Sequence, residues 1–449
     1  MGRHVETLVI GAGPAGLTAA YVLAKAGREV AVLEMTDQVG GASGTIVHDG
    51  FRIDLSGEAF DSASPRVLDL WSEMLPDGFV EQPRTARIYH RDRFYAYPLK
   101  TLEALAHLGL RRGAACLASL GLAKIRPIKA PRTFRDEVRN RFGDKLSSML
   151  FKPFAEKLSG LVCDQMPVGW AGAARPSASF RYPRDGAGVV WRACASQIAA
   201  MGGEVSLGRA VDTLHFDALN KLWSLSVRRA DGAYEIHTAD HVVSTAPLRE
   251  LVGALRPTPI CLFHAGELMY RDQITVALVG STRKPMRETA IEVHDADLRV
   301  GRVQNFRAWS PAMAPEGEAS CLGLEYYCFE GDDLWTASDE ALVALARREA
   351  AAMGLMDIDA ARDAQVVRRR KALPIQDEDC AEHLKMIRLD LKMHFPGLHL
   401  AGRNGLHRAG GRDFATLSGL LTAENILAGE AAHDPCEEPA IPAPRRKAA

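Results

Sequence analysis

The stretch "TLVIGAGPAGLTAAYVLAKAGREVAVLEMTDQVGGASG", residues 7–44, decides the fold. An apolar, β-branched run beginning near Val5 ends in glycine. "AGLTAAYVLAKAG" follows with helical spacing and a glycine stop, and "EVAVLE" reads as the next strand. Gly11, Gly13, Ala15 and Gly16 therefore fall at a strand-to-helix turn. There the first glycine permits the tight turn, the second lets backbone approach a pyrophosphate, and the third lets helix pack on strand. The helix start offers unpaired N–H groups to phosphate. Glu34, closing the second strand, can take both hydroxyls of an adenosine ribose and repels a 2′-phosphate, which argues against an NADP-type ligand. The pattern predicts dinucleotide binding.

Two further features favour a resident flavin over a travelling nicotinamide. "DQVGGASGT" places Gly40, Gly41 and Ala42 where more backbone N–H groups can meet the dinucleotide. Residues 397–429, "GLHLAGRNGLHRAGGRDFATLSGLLTAENILAG", repeat the strand–loop–helix pattern. A second helix start aimed at the ligand suits a flavin, on whose pyrimidine edge negative charge develops during reduction.

Composition narrows the function classes. The 449-residue chain is 47% hydrophobic and 25% charged, an ordinary globular balance. Its 55 basic and 56 acidic residues provide no single-sign field for nucleic acid. Eight scattered cysteines without a C-x-x-C pair read as reduced, buried thiols, and no His/Cys cluster has metal-ligand spacing. A strand starting near Val5 leaves no room for a signal peptide, so the expected location is the cytoplasm. The longest apolar stretch, "LAHLGLRRGAACLASLGLAKIRPIK" from Leu105, is interrupted by Arg111 and Arg112 and is too short on either side to span a bilayer. It reads as a pair of packed helices, or as a pair touching a membrane surface or a lipidic substrate, which leaves a peripheral membrane contact open. Nothing in the sequence sets the oligomeric state.

Segments in one order along the chain carry a family resemblance: "GFRIDLSGEAF" (50–60), "ARIYHRDRFYAYPLKTL" (86–102), "FKPFAEKLSG" (151–160), "FRYPRDGAGVVWRACASQI" (180–198), "HVVSTAPL" (241–248), "RVQNFRAWSP" (302–311), "EYYCFEGDDLW" (325–335) and "AGRNGLHR" (401–408). With the nucleotide fingerprint, they resemble the FAD-dependent amine oxidase superfamily, in its protoporphyrinogen-oxidase-like and UDP-galactopyranose-mutase-like branch. The resemblance implies an α/β fold, a Rossmann-like FAD-binding domain of the GR2 type with an inserted α+β substrate domain. Residues 1–85, 185–255 and 386–430 would bind FAD, 86–184 and 256–385 would form the cap, and 431–449 would be a disordered tail. It also implies that Gly11, Gly13, Gly16 and Glu34 hold the ADP half, that Val211 and Ala246 lie near the adenine, and that Gly402, Arg403, Asp413 and Phe414 border the flavin. The C-terminal flavin loop has no cysteine, so non-covalent FAD is expected.

Glu58 stands where mutase-like members usually carry a histidine. It could serve as a base, as a charge tuning the flavin, or as a local hydrogen-bond partner. Arg408 is the second catalytic candidate. Arg87, Arg175, Tyr182, Arg302, Asn305 and Tyr326 are the substrate-binding candidates, with Lys157 a further polar group, since bidentate arginine suits phosphate. The basic run "VVRRRKALP" (366–374) reads as a strand end with a solvated face. Gly410 and Gly411 replace bulk that relatives carry, which argues against simple transfer of the mutase reaction. The expected activity is hydride transfer from a small, polar, sugar- or nucleotide-linked metabolite to flavin. A non-redox mutase using reduced FAD as nucleophile and a flavin-free binding protein of the GDP-dissociation-inhibitor type are the alternatives.

Overall fold

The computed structural model describes residues 3–100, 103, 107–170, 178–282, 286–317 and 319–436. Its first strand, His4–Ile10, alternates around a buried face and runs into Gly11, whose φ of +98° only glycine adopts without strain. Helix Pro14–Lys25 follows, with proline at a first-turn position where its missing N–H costs nothing. Strand Val30–Glu34, buried throughout, returns parallel to the first.

Eight strands form the first sheet. Its main path runs Leu255–Arg256, Arg209–Asp217, Leu222–Arg229, Tyr234–Ser244, His4–Ile10, Val30–Glu34, Glu204–Leu207. Leu398–Leu400, from near the other end of the chain, pairs in parallel with the end of Tyr234–Ser244. The strands on the nucleotide side are parallel, and the Arg209–Ser244 meander is antiparallel.

A second, seven-stranded sheet runs Ala361–Pro374, Tyr270–Ser281, Ala319–Cys328, Arg302–Asn305, Ala290–Val293, Ala86–His90, Arg93–Ala96. The last two strands make the hairpin expected around Asp92; Arg91 and Asp92 both have positive φ, as a two-residue hairpin turn of the I′ kind requires. Helix Asp339–Ala352 begins at the expected cap, the Ser338 hydroxyl accepting from the Ala341 N–H. In the Leu105 stretch His107 is helical, the chain breaks at Leu108 and Gly109, and helix Leu110–Ile125 follows with Arg111 and Arg112 in its first turn; residues 105 and 106 lie outside the described residues. No helix among the described residues is long and apolar enough to cross a membrane.

One apolar cluster spans both sheets. It joins Leu17, Trp71 and Trp191 on the nucleotide side to Phe306, Trp309 and Met313 from the second-sheet segment. All eight cysteines are buried free thiols. The expected tail is partly ordered: Cys436 packs with Leu406 and Phe414, and Asn425 exchanges two hydrogen bonds with the His433 backbone. Residues 437–449 lie outside the described residues.

The chain's two ends meet through missing side chains. A Cβ on Gly419 of helix Arg412–Ala428 would lie 2.2 Å from the Ala15 carbonyl oxygen, and one on Gly402 would lie 2.9 Å from the Ala15 Cβ. Backbone obstructs the first contact and cannot swing away. Gly419→Val is therefore expected to destabilise the fold by about 2 kcal/mol, read as a lower midpoint of chemical denaturation.

Candidate active site

The nucleotide cradle is built from backbone. A Cβ on Gly16 would strike the Gly11 carbonyl oxygen at 2.0 Å, and one on Gly11 would strike the Thr245 hydroxyl at 2.2 Å. Both glycines are thus required for packing. Gly13 differs, because its side-chain direction is open for 4 Å. Gly41, with φ of +51°, faces the Gly13 Cα, and the Gly40 N–H donates to the Ala12 carbonyl at 2.8 Å. This is a floor of bare backbone at a helix start, the arrangement a pyrophosphate needs. The Glu34 carboxylate accepts from the Ala12 N–H at 2.8 Å and from the Thr36 N–H and hydroxyl at 2.9 and 2.8 Å, which aims it at the same cradle. The donor set fits the ADP half of FAD. Val211 lies at a bulge of strand Arg209–Asp217, and Ala246 follows strand Tyr234–Ser244 directly.

Beyond the cradle lies a cluster of four arginines around Glu58. The Glu58 carboxylate accepts from the Arg412 backbone N–H at 3.0 Å, at the start of helix Arg412–Ala428, and lies 3.5 Å from the Arg403 guanidinium. The Arg412 side chain is buried, donates to the Glu58 carbonyl and the Ser43 hydroxyl, and lies 4.1 Å over the Phe60 ring. One of its terminal nitrogens has no partner. Arg369 donates to the carbonyls of Ala42 (3.2 Å) and Leu55 (2.8 Å) and to the Gln273 amide oxygen (2.5 Å).

Burial alone would raise the Glu58 pKa, but Arg403, Arg412, Arg302 and Arg369 together outweigh it and hold the carboxyl below its ordinary value. The opposite happens to Arg369, which burial and then Arg403 pull down to about 10. Asp413, beside Arg412, is raised by burial, with the Glu58 charge adding to the shift. A carboxyl with both oxygens facing cations or N–H binds a proton less readily than a free one. Of the three readings left open for Glu58, the hydrogen-bond and charge roles both have contacts in this geometry.

Gly57 ties this cluster to the second sheet. Its Cβ would fall 2.1 Å from the Gln304 amide oxygen and 2.5 Å from the Arg302 guanidinium. Arg302 in turn ion-pairs at 3.0 Å with Glu325, which also accepts from the Gln304 amide and, at 2.9 Å, from the Tyr327 hydroxyl. Arg302 stands in register between Glu292 and Glu325 on neighbouring strands. Burial opposes its charge, yet Glu325 and Tyr327 more than compensate and raise its pKa.

Arg302 and Tyr327 are shared with a cavity of about 1070 Å³. One wall is aromatic: Phe134, Phe142, Phe151, Phe154 and Trp170. The polar lining includes Arg141, Arg271, Glu292 and His294. The His294 ring stacks 4.2 Å from Phe154, and its Nε2 lies 3.3 Å from the Glu292 carboxylate. Glu292, with burial second, pushes the Tyr97 phenol up to about 12.

The other candidates lie elsewhere. Arg408 lines a separate surface depression, donates to the Cys436 carbonyl and sits over Phe414, so its charge serves the chain's own end. Arg87 ion-pairs with Glu288 at 2.9 Å, outside the cavity lining. Tyr182 is fully buried, its hydroxyl donating to Asp54. Asn305 turns inward to the Met286 carbonyl at 2.6 Å. Tyr326 points into the core on the face of strand Ala319–Cys328 opposite Glu325 and Tyr327. Arg175 lies outside the described residues. Lys157 donates to three carbonyls, of Val293, Asp295 and Val300, as a structural pin.

Arg369, Arg412, Gln304, Glu325 and the Glu292–His294 pair escaped the sequence reading. For Arg369 the signal was strand alternation: Arg368 pairs outward with Asp339, Arg370 outward with Glu330, and the arginine between them turns inward.

A sequence profile described as "Flavin containing amine oxidoreductase" matches residues 14–427. Putrescine oxidase of Kocuria rosea is 42% identical over 69 residues, a match spanning only 15% of this chain and 14% of that protein. A crystal structure of reduced UDP-galactopyranose mutase superposes with a TM-score of 0.83 at 20% identity, over 96% of this chain and 97% of the other. A putative protoporphyrinogen oxidase from Exiguobacterium sp. 255-15 gives 0.75 at 19% identity, over 96% and 99%. At such identities the superpositions establish a shared fold.

Two outcomes follow from this geometry. Glu34→Ala should weaken FAD binding about 10- to 100-fold, the loss of charge-assisted hydrogen bonds, measured by titrating the flavin-depleted protein with FAD. The Glu58 carboxyl has a lower pKa folded than unfolded, so its stabilisation is full above its ordinary value of 4.5 and fades as pH falls through the folded value. Glu58→Gln should accordingly flatten the acid limb of the melting-temperature profile below that pH; an unchanged limb would remove the carboxyl from the cluster's energetics.

Proposed function

The chain belongs to the flavin containing amine oxidoreductase family and is a FAD-dependent enzyme; from that premise we propose that it oxidises a metabolite combining an aromatic or apolar body with an anionic group. The cavity lining is the observation that carries this reading. Five aromatic rings form one wall, while Arg302 lies beside Gly57 at the edge of the arginine cluster. A volume of about 1070 Å³ suits a substrate larger than the small polar one that the sequence suggested. A nucleotide-linked metabolite, with its base and its phosphates, remains within this class.

Bound FAD supplies the hydride acceptor. Gly13, Gly41 and Glu34 would hold its ADP half, and Glu58 fixes the start of helix Arg412–Ala428. Arg302, oriented by Glu325, fixes the anionic group of the substrate, while the aromatic wall excludes water around its body. In this reading the Glu292–His294 pair takes the proton in the cavity, while the Glu58 oxygens already face the Arg412 N–H and Arg403. We read the second sheet and its helices as the cap over the flavin, and the reaction as net substrate oxidation. The flavin-free alternative does not suit a member of a flavin-containing family.

The test is anaerobic mixing of the yellow holoenzyme with candidate donors, watching the flavin bleach. Arg302→Met should lower kcat/KM about 100-fold with FAD content unchanged, and Arg302→Lys should recover part of the loss. Full activity in Arg302→Met would sink the assignment of the anion site. Turnover only after prior chemical reduction, without net oxidation, would replace the oxidase reading with the mutase-like one.

A further inference from the structure

Helix Leu110–Ile125 exposes an apolar stripe that no described residue covers. Ala114, Leu117, Ala118, Gly121, Leu122 and Ile125 recur at the spacing of a single helix face, and all six are exposed. The large members stand far out: Leu117 is 52% exposed, Leu122 53% and Ile125 79%. The opposite face is packed. Cys116 and Ala123 are buried, and a Cβ on Gly143 would come within 2.7 Å of the Leu120 N, so the helix is seated closely on the body.

Charge along the helix and the segment that follows it in the chain has one sign. Residues 104–135 contain no Asp or Glu, in a chain whose net charge is only −1. Arg111, Arg112, Lys124, Arg126, Lys129 and Arg132 are exposed, and none of them ion-pairs with a described residue. Arg135, next along the chain, is held by Asp164 at 3.0 Å.

We propose that this helix and the basic segment after it dock the enzyme on an anionic phospholipid surface. Exposed leucine and isoleucine would enter the acyl boundary, and the flanking arginines and lysines would meet the headgroup phosphates. Charge complementarity selects this occupant. A symmetric contact with a second copy would set the basic cluster against itself, which repulsion disfavours. Helix Phe134–Phe142 packs directly on the docking helix, Lys124 donating to the Asn140 carbonyl at 3.1 Å. It also gives Phe134, Arg141 and Phe142 to the cavity lining, so the docked element adjoins a wall of the cavity. The proposal does not depend on which substrate is oxidised.

Co-sedimentation of the full-length holoenzyme with vesicles tests it. Vesicles of phosphatidylcholine containing about 30% phosphatidylglycerol should bind the protein, and pure phosphatidylcholine should bind it far less. Added salt should release it. Leu117→Ser/Leu122→Ser/Ile125→Ser should weaken binding about tenfold or more, with FAD content and melting temperature retained because the three side chains support nothing inside. Arg126→Glu/Lys129→Glu should weaken it separately. Failure to bind anionic vesicles, or binding that ignores both lipid charge and these substitutions, overturns the proposal. Self-association abolished by the triple substitution, with no vesicle binding, would instead assign the face to a second copy.

Discussion

Everything in the nucleotide half depends on how closely helix Pro14–Lys25 and helix Arg412–Ala428 can approach. Ala15 is the pivot, with Gly419 against its carbonyl and Gly402 against its methyl. Dispersion falls off steeply with separation, so a bare-backbone crossing packs tightly only where side chains are missing on one partner. That crossing brings together two helices from opposite ends of the chain. The start of the first faces the bare floor at Gly13 and Gly41, and the start of the second is capped by Glu58.

A second constraint acts where the two sheets meet. Four arginines and few carboxylates are gathered within a largely buried region, and such a gathering is tolerable only if the charges are hydrogen-bonded and partly compensated. Glu58 and Glu325 supply that compensation for Arg403 and Arg302, while Arg369 rests on two carbonyls and an amide. The four arginines outnumber these two carboxylates, so the cluster keeps residual positive charge. Its cost in stability is the kind that functional sites carry.

The cavity beside the arginine cluster is strongly aromatic. Phe134, Phe142, Phe151, Phe154 and Trp170 come from a segment with no nucleotide signal. Read in sequence, each is an ordinary core candidate. Only the fold brings them to one void, which Arg302, Glu292 and His294 also line, with His294 stacked on Phe154. The candidates that fell away did so for related reasons. Tyr182 and Tyr326 are large enough to be used as core, and Arg87 and Arg408 found partners within the chain.

The sequence by itself determined the parallel strands and the glycine turn at the start of the chain, and the family, because those rest on local rules. Glycine φ, helix starts, strand period and a terminal acid are all written within about 40 residues, as at Gly11, Gly13, Gly16 and Glu34. It also carried the hairpin at Asp92 and the cap at Ser338, again local chemistry. Tertiary structure decided which arginines are inside, that Glu58 meets the start of the last helix beside Arg403, and that the cavity is large and aromatic. Those properties depend on which distant residue lies opposite, and hence on desolvation and charge pairing between strands that one-dimensional spacing does not encode.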